Sequence, residues 1–222
     1  DWSSDVCSSD LRSGGRGTGV LRDVFIIKCG HSAKGAYADN IDTHSCFALD
    51  SNGQLWTWGY NGYGQLGHGN TNNYSTPTQI PQSFFHNKKI IDAWMSGYDY
   101  QSAYALTEDG ELYSWGYNGY GQLGHGNYNG RMSRPERIKY SWAKFGGIKK
   151  VQFCGQGSYG IGVVLTNDGT IHMVGYFGTS GASMYGMGNP NTTYVGVFTP
   201  AAQLFRSEEH TSELQSRQYL VC

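Results

Sequence analysis

The thirteen residues from Trp58 to Asn70, WGYNGYGQLGHGN, recur unchanged from Trp115 to Asn127. Two identical copies 57 positions apart (115 − 58) mark a tandem array of one structural unit. Such a unit buries its apolar faces against its neighbours rather than within itself. The functional question therefore moves from an active site to what a repeated surface binds.

Around the duplicated string, three copies of a longer unit align. Each contains a hairpin: Ser45–Gly59 (SCFALDSNGQLWTWG), Ser102–Gly116 (SAYALTEDGELYSWG) and Ile161–Gly175 (IGVVLTNDGTIHMVG). Asn52-Gly53, Asp109-Gly110 and Asp168-Gly169 sit between the runs and predict type I′ turns. Alternating residues such as Leu55, Trp56, Thr57 and Trp58 predict strands with one side on a core. Another β-rich run precedes each hairpin, at 24–30, 89–97 and 149–157. A Pro-marked segment follows each one (STPTQI, SRPERI, FTPAAQ), as suits an edge strand that need not donate to a ladder. No helical periodicity interrupts this order.

The fold expected is all-β: a β-propeller fragment of about three four-stranded blades, at about 24–80, 88–138 and 148–200, forming an incomplete ring. A β-solenoid is the other architecture that repeats in this way, but its coils are usually shorter than the 57 and 59 residues between Gly53, Gly110 and Gly169.

The two ends match neither unit. Residues 1–11 (DWSSDVCSSDL) and 206–216 (RSEEHTSELQS) are encoded by one DNA segment read on opposite strands, and that segment resembles a sequencing adapter. Residues 1–11 and 206–222 are therefore read as adapter-like, disordered and outside the fold. The partial propeller occupies 12–205 and is read as an internal fragment. Removing these ends takes away Arg206 and Arg217 and six acidic residues, which turns the formal charge of −1 into +3. That mild value gives no strong nucleic-acid signature. No apolar run in this window is long enough to span a membrane.

Between the ends lie Cys29, Cys46 and Cys154, whose spacing fits no zinc motif. They are expected to be small core residues on strands. His44 with Cys46, and the equivalent pair His68 and His125, are the nearest approach to a chemical cluster, and two histidines are too few donors for a metal site. No catalytic triad or paired-carboxylate arrangement is legible. No catalytic, metal or cofactor residue is expected, and the chain is read as non-enzymatic.

Gly62–Gly67 and Gly119–Gly124 fit G-x-G-x-x-G, but the sequences after them cannot open the helix that dinucleotide binding requires. Their glycines are better explained by close approach of adjacent blades. The motif residues are Trp58, Gly59, Gly64, Gln65, Leu66 and Gly67, with Trp115, Gly116, Gly121, Gln122, Leu123 and Gly124 in the second copy.

Taken together, W-G-x-N-x-x-G-Q-L-G-x-G, a preceding D-G hairpin and a following Pro resemble the repeat of the regulator of chromosome condensation family. The third copy departs: Val174 stands for Trp, GQLG is missing, and the loop is three residues longer (Gly175 to Asn189 against Gly59 to Asn70). The resemblance implies a seven-bladed ring, of which this chain supplies three blades.

The loops are rich in aromatic and amide side chains. Tyr60, Asn61, Tyr63, Tyr117, Asn118, Tyr120, Tyr176 and Phe177 are the candidate partner-binding residues. The function expected is a binding or scaffold module presenting these loops to a protein or glycan. The resemblance offers an alternative, guanine-nucleotide exchange on a Ras-like small GTPase. A second alternative is a secreted or virion-associated recognition domain, for which the near-identical, charge-poor repeats and the sequons at Asn73 and Asn191 speak.

Overall fold

The computed structural model describes residues 21, 23–30, 44–96, 101–156, 159–178 and 194–201. The adapter-like ends and the variant loop 179–193 lie outside the described residues. Among the described residues, twelve strands form three antiparallel sheets of four, each in sequence order. The first holds β1 (Val24–Gly30), β2 (Ser45–Asp50), β3 (Leu55–Gly59) and β4 (Tyr74–Gln79). The second holds β5 (Ile90–Met95), β6 (Ser102–Thr107), β7 (Leu112–Asn118) and β8 (Gly130–Arg137). The third holds β9 (Ile148–Gln156), β10 (Tyr159–Thr166), β11 (Ile171–Tyr176) and β12 (Tyr194–Pro200). The described residues form a propeller fragment of three blades that do not close a ring.

Strand β5 lies against β1 on one side and β9 on the other, which puts the first strand of each blade at the inner edge of the arc. Strands β4, β8 and β12 form the outer rim. Pro77, Pro135 and Pro200 all fall on these edge strands, where a missing N–H costs no ladder bond.

Burial sits between the sheets rather than inside any one. Phe47, Leu49 and Leu55 of the first blade meet Ala93, Ala105, Tyr113 and Trp115 of the second. Tyr104 and Leu112 of the second meet Val151, Val164, Val174 and Phe198 of the third. The short 3₁₀ turns Gln82–Phe85 and Trp142–Phe145 add Phe85 and Trp142 to these seams from the linkers. Each blade is thus a twisted sheet whose apolar faces are closed by its neighbours.

Two expectations are corrected. The hairpins do not use type I′ turns, which need two successive residues at positive φ. Gly53, Gly110 and Gly169 have φ of 76°, 82° and 89°, whereas Asn52, Asp109 and Asp168 keep negative φ. Gly53 N donates to Asp50 O at 2.9 Å and Asp50 N to Gln54 O at 3.1 Å, so a type I turn is followed by one left-handed glycine. The extra residue explains the difference, because a three-residue loop matches strand twist with one positive φ instead of two.

The second correction concerns the cysteines. Cys29 on β1 is exposed and faces Cys46 on β2 directly across the ladder, with Cα atoms 4.0 Å apart and a disulfide between them. These two are a covalent cross-strand pair at one end of the first blade, not small core residues. Spacing along the sequence cannot show a cross-strand register, and that register decides the pairing.

Candidate functional site

Asn61, two residues past β3, and Asn118, the last residue of β7, hold the loops that follow. Asn61 Nδ2 donates to Asn70 O at 3.1 Å and Asn72 O at 2.9 Å, while its Oδ1 accepts from Leu66 N at 2.9 Å. Asn118 repeats the pattern with Asn127 O at 3.1 Å and Leu123 N at 3.1 Å. An amide offers both donors and acceptors on one short stem, which this folding-back of the chain demands. Gln65 and Gln122 complete each turn, their Oε1 atoms accepting from Tyr63 N and Tyr120 N at 2.9 Å.

Next in each loop is a histidine. Thr57 Oγ1 donates to Leu66 O at 2.7 Å, so its single proton is spent, and His68 Nε2 at 2.9 Å must donate to it. Ser114, Leu123 and His125 form the same triplet at 2.7 and 2.8 Å. Burial holds both imidazoles below the ordinary histidine pKa. Among the described residues no group of three or more His, Cys, Asp or Glu could hold a metal.

The loops reach across to the next blade. The Trp115 indole donates to Gln65 O at 2.8 Å, and Gly69 N donates to Ser133 O at 2.8 Å. Gly126 N repeats the second bond with Gly196 O. Gly64 (φ 75°) and Gly121 (φ 74°) lie where a Cβ would stand 2.6 Å from Ser133 Cα and 2.7 Å from Gly196 Cα. Both the left-handed φ and the neighbouring backbone demand glycine. Strand β4 follows the first loop, Gly64 and Gly121 face the next blade's backbone, and Gly67 and Gly124 face its Trp115 and Phe198 rings, so the G-x-G-x-x-G string is a packing element.

One face of the arc carries tyrosines. Tyr60 meets Tyr63 edge-on at 6.3 Å between centroids, and Tyr63 meets Tyr117 of the second blade at 5.6 Å. Tyr117 meets Tyr120 at 6.5 Å, and Tyr120 meets Tyr176 of the third blade at 5.1 Å. Tyr159 joins both Tyr120 and Tyr176, at 5.2 and 4.4 Å. Six rings thus run unbroken over three blades, partly exposed along their length. The hydrogen bond with Tyr120 raises the Tyr159 phenol above its ordinary pKa, with the neighbouring phenols adding to it.

The structure brings together Tyr60, Tyr63, Tyr117, Tyr120 and Tyr176 of the residues singled out for partner binding. It does not bring Asn61, Asn118 or Phe177 to the surface: they are 0%, 0% and 1% exposed. This is a correction, and its cause is that the two amides are consumed by the chain that folds over them and Phe177 packs with Met173. Sequence reasoning missed Tyr159, which is 47% exposed. Its signal was its repeat position, shared with Tyr100 (159 − 59), which lies outside the described residues.

Residues 52–98 and 109–160 match the Regulator of chromosome condensation (RCC1) repeat. The chain carries repeats of this family. It is 38% identical over 93 residues to "Protein RCC2 homolog" of Danio rerio, covering 42% of this chain and 18% of that protein. To "Ultraviolet-B receptor UVR8" of Arabidopsis thaliana it is 39% identical over 97 residues, covering 44% and 20%. It therefore spans a fifth or less of these relatives. Among solved structures, Prp20p from Saccharomyces cerevisiae superposes with a TM-score of 0.57 at 22% identity, covering 82% of this chain and 39% of that one. Human WBSCR16 gives 0.59 at 22% identity, covering 80% and 37%. These two likenesses concern the fold alone.

Proposed function

We propose that this chain is a non-enzymatic binding and scaffold module, and that the face formed by Tyr60, Tyr63, Tyr117, Tyr120, Tyr159 and Tyr176 receives a protein or glycan partner. The observation that carries this reading is the unbroken run of ring contacts across both blade boundaries. Rigid rings with polar tips give contact area at low entropic cost, and here the blades hold them in place. A solved protein of the same fold engages macromolecules: Prp20p, the yeast RCC1, binds Gsp1p and histones and is bound by Kap60.

The test is a full-length variant carrying Tyr63→Ala and Tyr120→Ala, compared with Arg134→Ala on the outer rim. The reading expects a partner captured by the wild type to be lost from the tyrosine variant at unchanged Tm and kept by the rim variant. Equal capture by all three removes it. Accelerated nucleotide release from a Ras-like GTPase, sensitive to the same tyrosines, would turn the reading into the exchange-factor alternative.

A second reading has one observation in its favour. The Cys29–Cys46 disulfide suits an oxidising compartment, and so a secreted or surface-exposed recognition domain. Extracellular material from the source organism, probed with an antibody to this chain, decides it by presence or absence.

A further inference from the structure

We infer that Cys29–Cys46 is a site of thiol–disulfide exchange that controls how firmly the first blade seats its end of the tyrosine face. The consequence for the face rests on the binding reading above, while the exchange site itself does not.

The geometry places the bond at the mouth of the hairpin that carries Tyr60. Cys29 pairs with Cys46, and Cys46 pairs in turn with Trp58 on the next strand. One residue along, Ser45 Oγ donates to Tyr60 O at 2.7 Å, and the adjacent His44 O accepts from Tyr60 N at 2.8 Å. These two bonds seat Tyr60, whose ring starts the run through Tyr63 to Tyr117. The covalent link is therefore within two residues of both.

The second blade is a built-in comparison. Ser102 Oγ donates to Tyr117 O at 2.7 Å and Tyr117 N to Gln101 O at 2.9 Å, the same seat. Yet the pair equivalent to the cysteines is Met95 opposite Ala103, with no covalent link. The two blades also differ in what joins their first two strands: residues 31–44 in the first blade, 96–101 in the second. A long connection leaves the strand ends less constrained, and a cross-link at its base removes that freedom.

Access favours exchange at Cys29, the exposed partner, while Cys46 is partly buried. A thiolate of an external dithiol attacks the Cys29 sulfur. The S–S bond breaks, a mixed disulfide forms at Cys29, and Cys46 leaves as a thiolate that takes up a proton. The second thiol of the dithiol then displaces Cys29. Both cysteines end as thiols and the dithiol ends as a disulfide, two electrons having been transferred.

The test uses the full chain, alkylated before any reductant is added, then mapped by mass spectrometry without reduction. A cross-linked peptide holding Cys29 and Cys46 is expected; both thiols found alkylated would overturn the proposal. Amide hydrogen exchange is then followed with and without a dithiol. Reduction should speed exchange severalfold over 44–61 and leave 101–118 unchanged. Cys29→Ser with Cys46→Ser should exchange fast under both conditions, and if that variant does not fold, the wild-type comparison still decides. No change over 44–61 on reduction, or an equal change over 101–118, sinks the control of the face. Loss of partner binding by the tyrosine variant is a separate readout, so the two readings fail separately.

Discussion

The Trp115 indole nitrogen donates to the main-chain carbonyl of Gln65 at 2.8 Å, joining a strand of the second blade to the loop of the first. Both groups are buried, Trp115 being 1% exposed. Gly67 stands beside the ring, where a Cβ would lie 2.9 Å from the indole nitrogen. The two copies of the duplicated string thus supply the two halves of this joint: the tryptophan of the second copy reaches back to the GQLG of the first.

Trp115→Phe keeps most of the apolar ring and removes the donor. The Gln65 carbonyl is then buried without that partner, at a cost of about 1–3 kcal/mol. Trp115→Ala adds a cavity at the seam and costs about 3–5 kcal/mol. Urea unfolding of the two variants should rank them in that order with unchanged m-values. A Phe variant as stable as the wild type would mean the hydrogen bond contributes nothing net.

The third blade lacks the tryptophan, and the equivalent loop carbonyl finds its donor within the second blade. Val174 occupies its place, and the Gln122 carbonyl accepts from the Tyr104 hydroxyl instead. Tyr104 replaces Phe47 of the first blade, and Gly162 replaces Ala103 of the second. A Cβ on Gly162 would meet the Tyr104 hydroxyl at 2.7 Å and Val174 at 3.0 Å. Three positions have changed together so that a tyrosine supplies the donor a tryptophan supplies elsewhere. Tyr104→Phe should cost about 1–3 kcal/mol by stranding the carbonyl. Val174→Trp should cost about 1–3 kcal/mol by overpacking against Tyr104. Combined, they should cost less than their sum, with a coupling of about 0.5–3 kcal/mol in chemical denaturation. Strict additivity would show that the positions do not compensate.

This exchange marks where the sequence stops being legible. The repeats, sheet order and edge prolines follow from periodicity and turn residues, which are local signals. Trp58 and Trp115 were readable as strand residues with one side on a core, but not the carbonyl Trp115 reaches 50 positions away. Asn61 and Asn118 read as recognition residues because amides are common in exposed loops. Their burial depends on the chain closing over them, which no single position reports. Cys29 and Cys46 became a pair only once the ladder register aligned them. The tyrosine face was partly legible because Tyr60 and Tyr117 share a repeat position, whereas Tyr159 reaches it from a different strand.

Acid should weaken the fold through histidines. Burial lowers the pKa of His68, His125 and His172 from the ordinary 6.5. His172 is the most enclosed, with Nδ1 3.0 Å from the Tyr140 hydroxyl, Phe145 edge-on at 4.3 Å and, among the described residues, no hydrogen-bond partner on Nε2. Asp168 opposes the shift at His172, and Glu136 opposes it at His125, but burial outweighs both. Below about pH 6.5 the unfolded chain takes up protons that the folded chain refuses, so stability falls as pH drops through that window. Above it all three are neutral in both states and stability is flat with respect to them. Thermal melts from pH 8 to 5 should show the decline, and His172→Gln should reduce its slope. An unchanged Tm across this range would rule the histidines out as the source.

The split between loop anchors and loop surface gives the sharpest comparison. Asn61 makes two donor bonds and one acceptor bond with its own loop while fully buried. Asn61→Ala therefore leaves two carbonyls and one N–H without that partner, and should cost about 2–4 kcal/mol, near the upper end for broken buried networks. Asn61→Asp keeps the acceptor and loses both donors, so it should recover little. Tyr63 lies on the surface of the same loop with its ring against Tyr60 and Tyr117, and its backbone N–H, not its side chain, is what holds Gln65. Tyr63→Ala should then cost under about 1 kcal/mol, the size expected for losing edge-on ring contacts at a half-exposed site. Denaturant midpoints give the stability order and partner capture gives the binding order, and the two should be opposite. A Tyr63 variant as unstable as the Asn61 variant would make the tyrosine face a structural seam instead of a recognition surface.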